Sequence, residues 1–170
     1  MADVQFIAGT GDIKRREFAM FVDISLDDEG TNWEIVGRKI EDLSLVMNPN
    51  VETLTDITGL TQTTLDKYEK QTSVSPYYAR RDSKMSEWLY NVVRNEKTLS
   101  DVEKTFLCVN IFAGADGSYD AWTQKAIVAV QSYGGDTKGV QIPYTLYWIG
   151  EKTFGTVSIA DGVPTFSPAE

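Results

Sequence analysis

Histidine is absent from the 170 residues, and cysteine occurs once. The first absence removes Ser-His and Cys-His nucleophile pairs and the commonest transition-metal ligand, so any catalysis would fall to carboxylate, lysine or tyrosine groups. The second removes an internal disulfide; Cys108 lies in the apolar run FLCVNIF and is expected to be a small core residue. No apolar run approaches the roughly 20 residues needed to cross a bilayer as a helix. The opening MADVQFIAGTGDIKRREF lacks the basic-then-apolar order of a secretory signal. A soluble chain made in the cytoplasm, without membrane insertion, is the expectation. Positive charge is also scarce: 16 basic against 25 acidic residues leave a formal charge of -9, which opposes adhesion to phosphate backbones and anionic membranes. The chain holds no Asn-x-Ser/Thr sequon, no repeat of solenoid period and no low-complexity linker.

What is present is the patterning of a β protein, in a length that fits one domain spanning 1–170. Phe18, Met20, Val22, Ile24 and Leu26 alternate with Glu17, Ala19, Phe21, Asp23 and Ser25, the period of a strand with one strongly apolar face. The polar stretch LDDEGTN turns the chain, and Trp33, Ile35 and Gly37 begin a returning strand followed by extended chain to Met47. VEKTFLCVNIF and YDAWTQKAIVAVQSY flank the turn AGADGS and predict a second hairpin, and KTFGTVSI supplies a further strand. Gly134, Gly135, Asp136 and Gly139 form a turn before a strand in which Val140, Ile142, Tyr144, Leu146 and Trp148 share one apolar face. Its other face, Gln141, Pro143, Thr145, Tyr147 and Ile149, is mixed, and what it meets is a question the pattern leaves open. Tyr147 and Trp148 are equally readable as ordinary aromatic core.

One segment has helical period. Met85, Trp88, Leu89, Val92 and Val93 form a single stripe, predicting a helix over about 84–95 that packs on a sheet. Asp82 or Ser83 can accept from its first free amides, and Arg94 and Lys97 suit its C-terminal end. Ahead of it runs Asn48 to Arg81, rich in threonine but poor in strong apolar alternation. Connections beyond about 12 to 15 structureless residues are uncommon, so this segment is either a long β-hairpin arm or a functional loop. Tyr77 and Tyr78 beside Arg80 and Arg81 are residue types that favour interfaces, or they anchor the start of the helix.

Sites of known chemistry fit poorly. Asp23, Ser25, Asp27 and Glu34 mimic a calcium loop, but Asp28 stands where the sharp turn requires glycine, and strands rather than helices flank it. GTGDIK would need a helix N-terminus after Lys14 to cradle phosphate, and a strand pattern follows instead. Glu41 with Asp42, and Asp116 with Asp120, are carboxylate pairs that turns and solvated strand faces explain without acid-base work. No catalysis, cofactor or metal is expected.

The order of the phrases WEIVGRKIEDLSLVMNPNVETLTDITGLT, YEKQTSVSPYYARR, MSEWLYNVV and VQSYGGDTKGVQIPYTLYWIG resembles the major tail proteins, or tail tube proteins, of noncontractile-tailed bacteriophages of Gram-positive bacteria. The likeness covers about Asp23 to Thr156 and contains no catalytic motif. It implies a mainly β fold, a β-sandwich or β-barrel with one flanking helix, and an arm over 48–81 reaching a neighbouring subunit. Tyr68, Tyr77, Tyr78, Arg80 and Arg81 become the candidate inter-subunit contacts. It further implies a homo-hexameric ring stacked into a tube in the virion tail, assembled in the host cytoplasm, with a tape measure protein and tail terminator or distal tail proteins as partners. Duplex DNA would pass without specific binding, and six chains at -9 would give a ring of about -54 that repels phosphate. Self-assembly for genome ejection is thus the leading expectation. The alternative is a monomeric acidic β-sandwich that displays Trp33, Trp122, Tyr119 or Tyr144 to a carbohydrate or protein ligand. A histidine-free hydrolase, needing converging carboxylates, comes third.

Overall fold

The computed structural model describes residues 6–25, 31–115 and 117–170. Leu26, Asp27 and Asp28 of the first predicted strand and turn, and Asp116, lie outside the described residues. The strands, in chain order, are β1 (Phe18–Asp23), β2 (Trp33–Val36), β3 (Pro49–Thr55), β4 (Thr61–Tyr68) and β5 (Gln71–Val74). Helix α1 (Lys84–Asn95) precedes β6 (Glu103–Ala115), β7 (Ser118–Val130), β8 (Gly134–Asp136), β9 (Gly139–Gln141), β10 (Tyr144–Ala160) and β11 (Val163–Pro168). Among the described residues, seven strands form one antiparallel sheet in the order β11-β10-β7-β6-β1-β2, with β5 beside the first part of β10. The sheet curls into a half-barrel, so the mainly β fold with one flanking helix is as the sequence predicts. The pairs β3-β4 and β8-β9 stand apart as two-stranded ribbons.

Register explains the two faces. Met20 pairs with Cys108 and Val22 with Phe106, and together with Val128, Leu146 and Trp148 they make the floor on which α1 lies. The helix contributes Met85, Leu89 and Val92, all buried, as its apolar stripe requires. Trp148 fits because its polar handle is satisfied: Nε1 donates to Thr72 Oγ1 at 2.9 Å while the ring meets Phe106 edge-on at 5.6 Å. On the opposite face, Ala19, Phe21, Leu107, Val109, Ala121 and Val157 form a second cluster. The residues alternating with the helix-facing side of β1 are therefore apolar and covered too. Phe6 seals this cluster, its ring 6.0 Å from that of Phe21 and its carbonyl accepting from the Tyr119 hydroxyl at 3.0 Å.

Four boundaries differ from the pattern reading. The strand after Trp33 stops at Val36, because Gly37 turns the chain at φ 127; Leu43 then drops into the core and Val46 bridges to Gln71. The expected strand through Val140 to Ile149 breaks at Ile142 and Pro143 into β9 and β10, since proline has no ladder donor. KTFGTVSI is not separate: β10 runs through it, passing a bulge between Ile149 and Thr153 with Gly150 at φ 68. The tail, unassigned from sequence, forms β11. Phe166 covers Gly155 so closely that a Cβ there would lie 2.8 Å from its ring and 2.2 Å from the Ser167 carbonyl oxygen.

The helix is anchored from β2. Ser83 is the cap, its Oγ accepting from Ser86 N at 3.1 Å. Glu34 completes it: one carboxylate oxygen accepts from the Ser83 hydroxyl, the other from Lys84 N at 3.0 Å and Met85 N at 3.3 Å. Glu34 thus serves the positive end of α1 rather than a cation loop. Glu34→Ala should lower stability by about 2 kcal/mol in urea unfolding, because it strands buried donors, while Glu87→Ala, whose partner Lys84 is exposed, should change it little.

Cys108 is fully buried under the helix, and burial pushes its thiol from 9.0 up to about 12. The unfolded chain loses this proton near pH 9 and the folded chain does not, so its contribution is intact below pH 9 and is lost as pH rises toward 12. Comparing wild type with Cys108→Ala, the wild type should lose about 1.4 kcal/mol more per pH unit above 9. Equal pH slopes would contradict this placement.

Candidate functional site

The region the body does not explain is the ribbon of β3 and β4. From Val51 to Glu69 every residue is exposed. A lone two-stranded ribbon is marginal in water, and this one is held by local devices. Val51, Thr53 and Thr55 face Leu65, Thr63 and Thr61 across the ladder, and the threonine hydroxyls pair at 3.2 Å (Thr53 with Thr63) and 3.0 Å (Thr55 with Thr61). At the tip, Asp56 Oδ1 accepts from Thr58 N at 2.8 Å, Thr58 Oγ1 at 2.5 Å and Leu60 N at 3.1 Å. These bonds, led by the Thr58 hydroxyl, hold the Asp56 carboxyl below its usual 3.8. With its polar groups closed on themselves, the tip presents apolar side chains: Ile57 is wholly exposed, and Leu54 and Leu60 are 71% and 65% exposed. Leu99, Phe154 and Val163 are exposed apolar residues on the body, but the tip gathers Leu54, Ile57 and Leu60 within one turn.

The five candidate contacts do not gather in one place. Tyr68 stands at the root of the ribbon, half exposed. The ribbon ends there, shorter than the 48–81 expected; Gln71 to Val74 joins the main sheet as β5, and the chain from Tyr77 belongs to the body. Tyr77 packs 5.4 Å from the Tyr144 ring and shares its hydroxyl with Ser86 Oγ at 3.0 Å, and burial raises its pKa. It serves its own chain. Tyr78 bridges to Gln141, and Arg80 lies 3.6 Å from Glu34. Arg81 is exposed at the rim of a groove of about 710 Å³, between α1 and the β8-β9 ribbon. Tyr90, Tyr133 and Val140 line it, each roughly half exposed. No family model matches this chain, and no curated protein does.

The margins of the sheet are unequal. Ala169 N donates to Phe154 O at 2.9 Å, so in the alternating pattern of an antiparallel pair Thr165 and Ser167 turn their amides toward β10, while Pro164, Phe166 and Pro168 face outward. Two of those three positions have no N–H to give. The β11 margin is thereby blunted against another strand. At the other margin, Ile24 N donates to Asn32 O at 2.8 Å, so the same alternation points the amides of Trp33 and Ile35 outward, where no described strand pairs with them.

Among the described residues, the aromatics of the alternative reading do not gather on one face. Tyr144 is buried, with its hydroxyl raised well above 10.0 by burial, and it shares the helix side of the sheet with Trp122, which Lys152 covers at 4.2 Å. Tyr119 and Trp33 lie on the opposite face, so the four aromatics make no common platform. The cleft of about 340 Å³ at the β10 bulge has Glu151 as the one carboxylate among its lining residues, and another of about 390 Å³ is lined by Asp23 and Glu103 together with Lys104 and Lys125. Sequence reasoning passed over Val51, Leu54, Ile57, Leu60 and Leu65 because threonines separate them. The spacing of Leu54, Ile57 and Leu60 around Asp56 and Gly59 was the available signal. Asp56→Ala should leave the melting temperature unchanged but speed amide exchange at Thr58 and Leu60, and the wild-type tip should keep its slow exchange as pH falls to 3.8, loosening only below it.

Proposed function

We propose that this chain is a structural subunit that builds a hollow tube, of the tail tube kind its sequence resembles. The observation that carries the reading is the projecting ribbon, an ordered arm with an apolar tip and no cover from its own body. A sister copy is its natural complement. An arm on one surface and its receptor on another make a head-to-tail contact, which closes into a ring or runs on as a filament. The open β2 margin gives the sheet a place to continue into a neighbour, and a ring of such sheets is a barrel wall.

On this reading six copies form each ring and stacked rings form the tail, with a tape measure protein inside and terminator and distal tail proteins at its ends. The formal charge of -9 per chain suits a conduit through which duplex DNA slides without being held. The subunit acts without catalysis.

Purified wild-type protein concentrated at low salt should form rings or hollow tubes in negative-stain electron microscopy. A variant lacking 52–64, closed by a short turn, should keep its fold by circular dichroism but lose tube length. A wild type that stays strictly monomeric at high concentration overturns the reading.

A further inference from the structure

The groove between α1 and the β8-β9 ribbon is another surface with exposed apolar side chains, and its chemistry matches the arm. Its walls are fixed: Ala79 N donates to Val140 O and Ile142 N to Tyr77 O, both at 2.9 Å, so the β8-β9 ribbon is tied to the chain entering α1. Tyr90 reaches across from the helix to Tyr133, their rings 6.3 Å apart. The volume of about 710 Å³ falls within the roughly 300–1,000 Å³ that binding clefts offer. Charge then discriminates. Glu87 is bridged by Lys84 at 3.3 Å and Arg80 by Glu34 at 3.6 Å, which leaves Arg81 without an ion pair among the described residues. The groove is apolar with a net positive rim. The arm from Pro49 to Tyr68 carries Glu52, Asp56 and Asp66 against one basic residue, Lys67, which Glu69 bridges at 2.9 Å, so it is apolar with a negative edge.

We propose that the groove lined by Arg81, Tyr90, Tyr133 and Val140 is the receptor for the arm tip of a second copy, with Ile57 and Leu60 seated against the paired tyrosines and the acidic edge against Arg81. This rests on the tube reading and names the surface that reading lacks. Tyrosine and arginine are the residue types that carry interface energy when covered. Because the tip is closed by its own Asp56 bonds, docking costs little ordering entropy.

The test is a disulfide trap. A chain carrying Ile57→Cys and Val140→Cys, with the buried Cys108 as its remaining thiol, is assembled, oxidised mildly and run on a non-reducing gel. A ladder of linked multimers is expected, with each single substitution giving at most dimers. Arg81→Glu should raise the critical concentration for assembly by about tenfold and Arg81→Lys should leave it near wild type. Tubes that form normally yet give no ladder, or that tolerate Arg81→Glu, overturn the groove assignment and leave the tube reading standing. Absence of any assembly in the wild type overturns both.

Discussion

A ribbon of two strands with both faces in water has no interior in which to bury its apolar side chains. That constraint organises the rest of this molecule. The sheet and helix behind the ribbon are packed on both sides, with Met85, Leu89 and Val92 over one face and Phe6 over part of the other. The body therefore needs nothing from the arm, and the arm finds no cover on the body. An ordered surplus of this sort is useful if another molecule supplies the missing side, because the threonine ladder and the Asp56 turn have already met most of the ordering cost.

The sheet margins carry the same logic in backbone terms. An edge strand is a template for pairing, and natural sheets control which edges stay open. Here Pro164 and Pro168 remove donors from the outward side of β11, while β2 keeps its own. A further strand would meet more free donors at the β2 margin than at β11, the asymmetry that the proposed directional assembly requires. Glu34 links that margin to the helix: it lies on β2 and holds the first turn of α1.

Charge and chemistry point the same way. Without histidine, catalysis would fall to carboxylate, lysine or tyrosine groups; among the described residues Asp23 and Glu103 line one cleft of about 390 Å³, while the cleft at the β10 bulge holds a single carboxylate. The aromatics that would make a ligand platform are divided between the two sheet faces or buried, as Tyr144 is. The exposed apolar arm, the tyrosine-lined groove and the excess of carboxylates fit the proposed contact between like chains that repel polyanions.

Periodicity alone fixed the helix over Lys84 to Asn95 and the hairpin of β6 and β7, because a stripe at 3.6 and an alternation at 2 are local properties of the chain. It also marked the segment after Asn48, by its lack of core, as either a long hairpin arm or a functional loop. Tertiary structure decided the remainder. The apolar second face of β1 depends on Phe6, far from it in sequence; Tyr77 turned inward because Tyr144 and Ser86 were there to receive it; and the β10 strand runs unbroken past Gly150 because β7 lies alongside it. The groove beside Arg81 is made by a helix and a ribbon some 40 residues apart, so no window of sequence contains it. Local pattern reports what one segment prefers, and long-range packing settles which of its faces is left over.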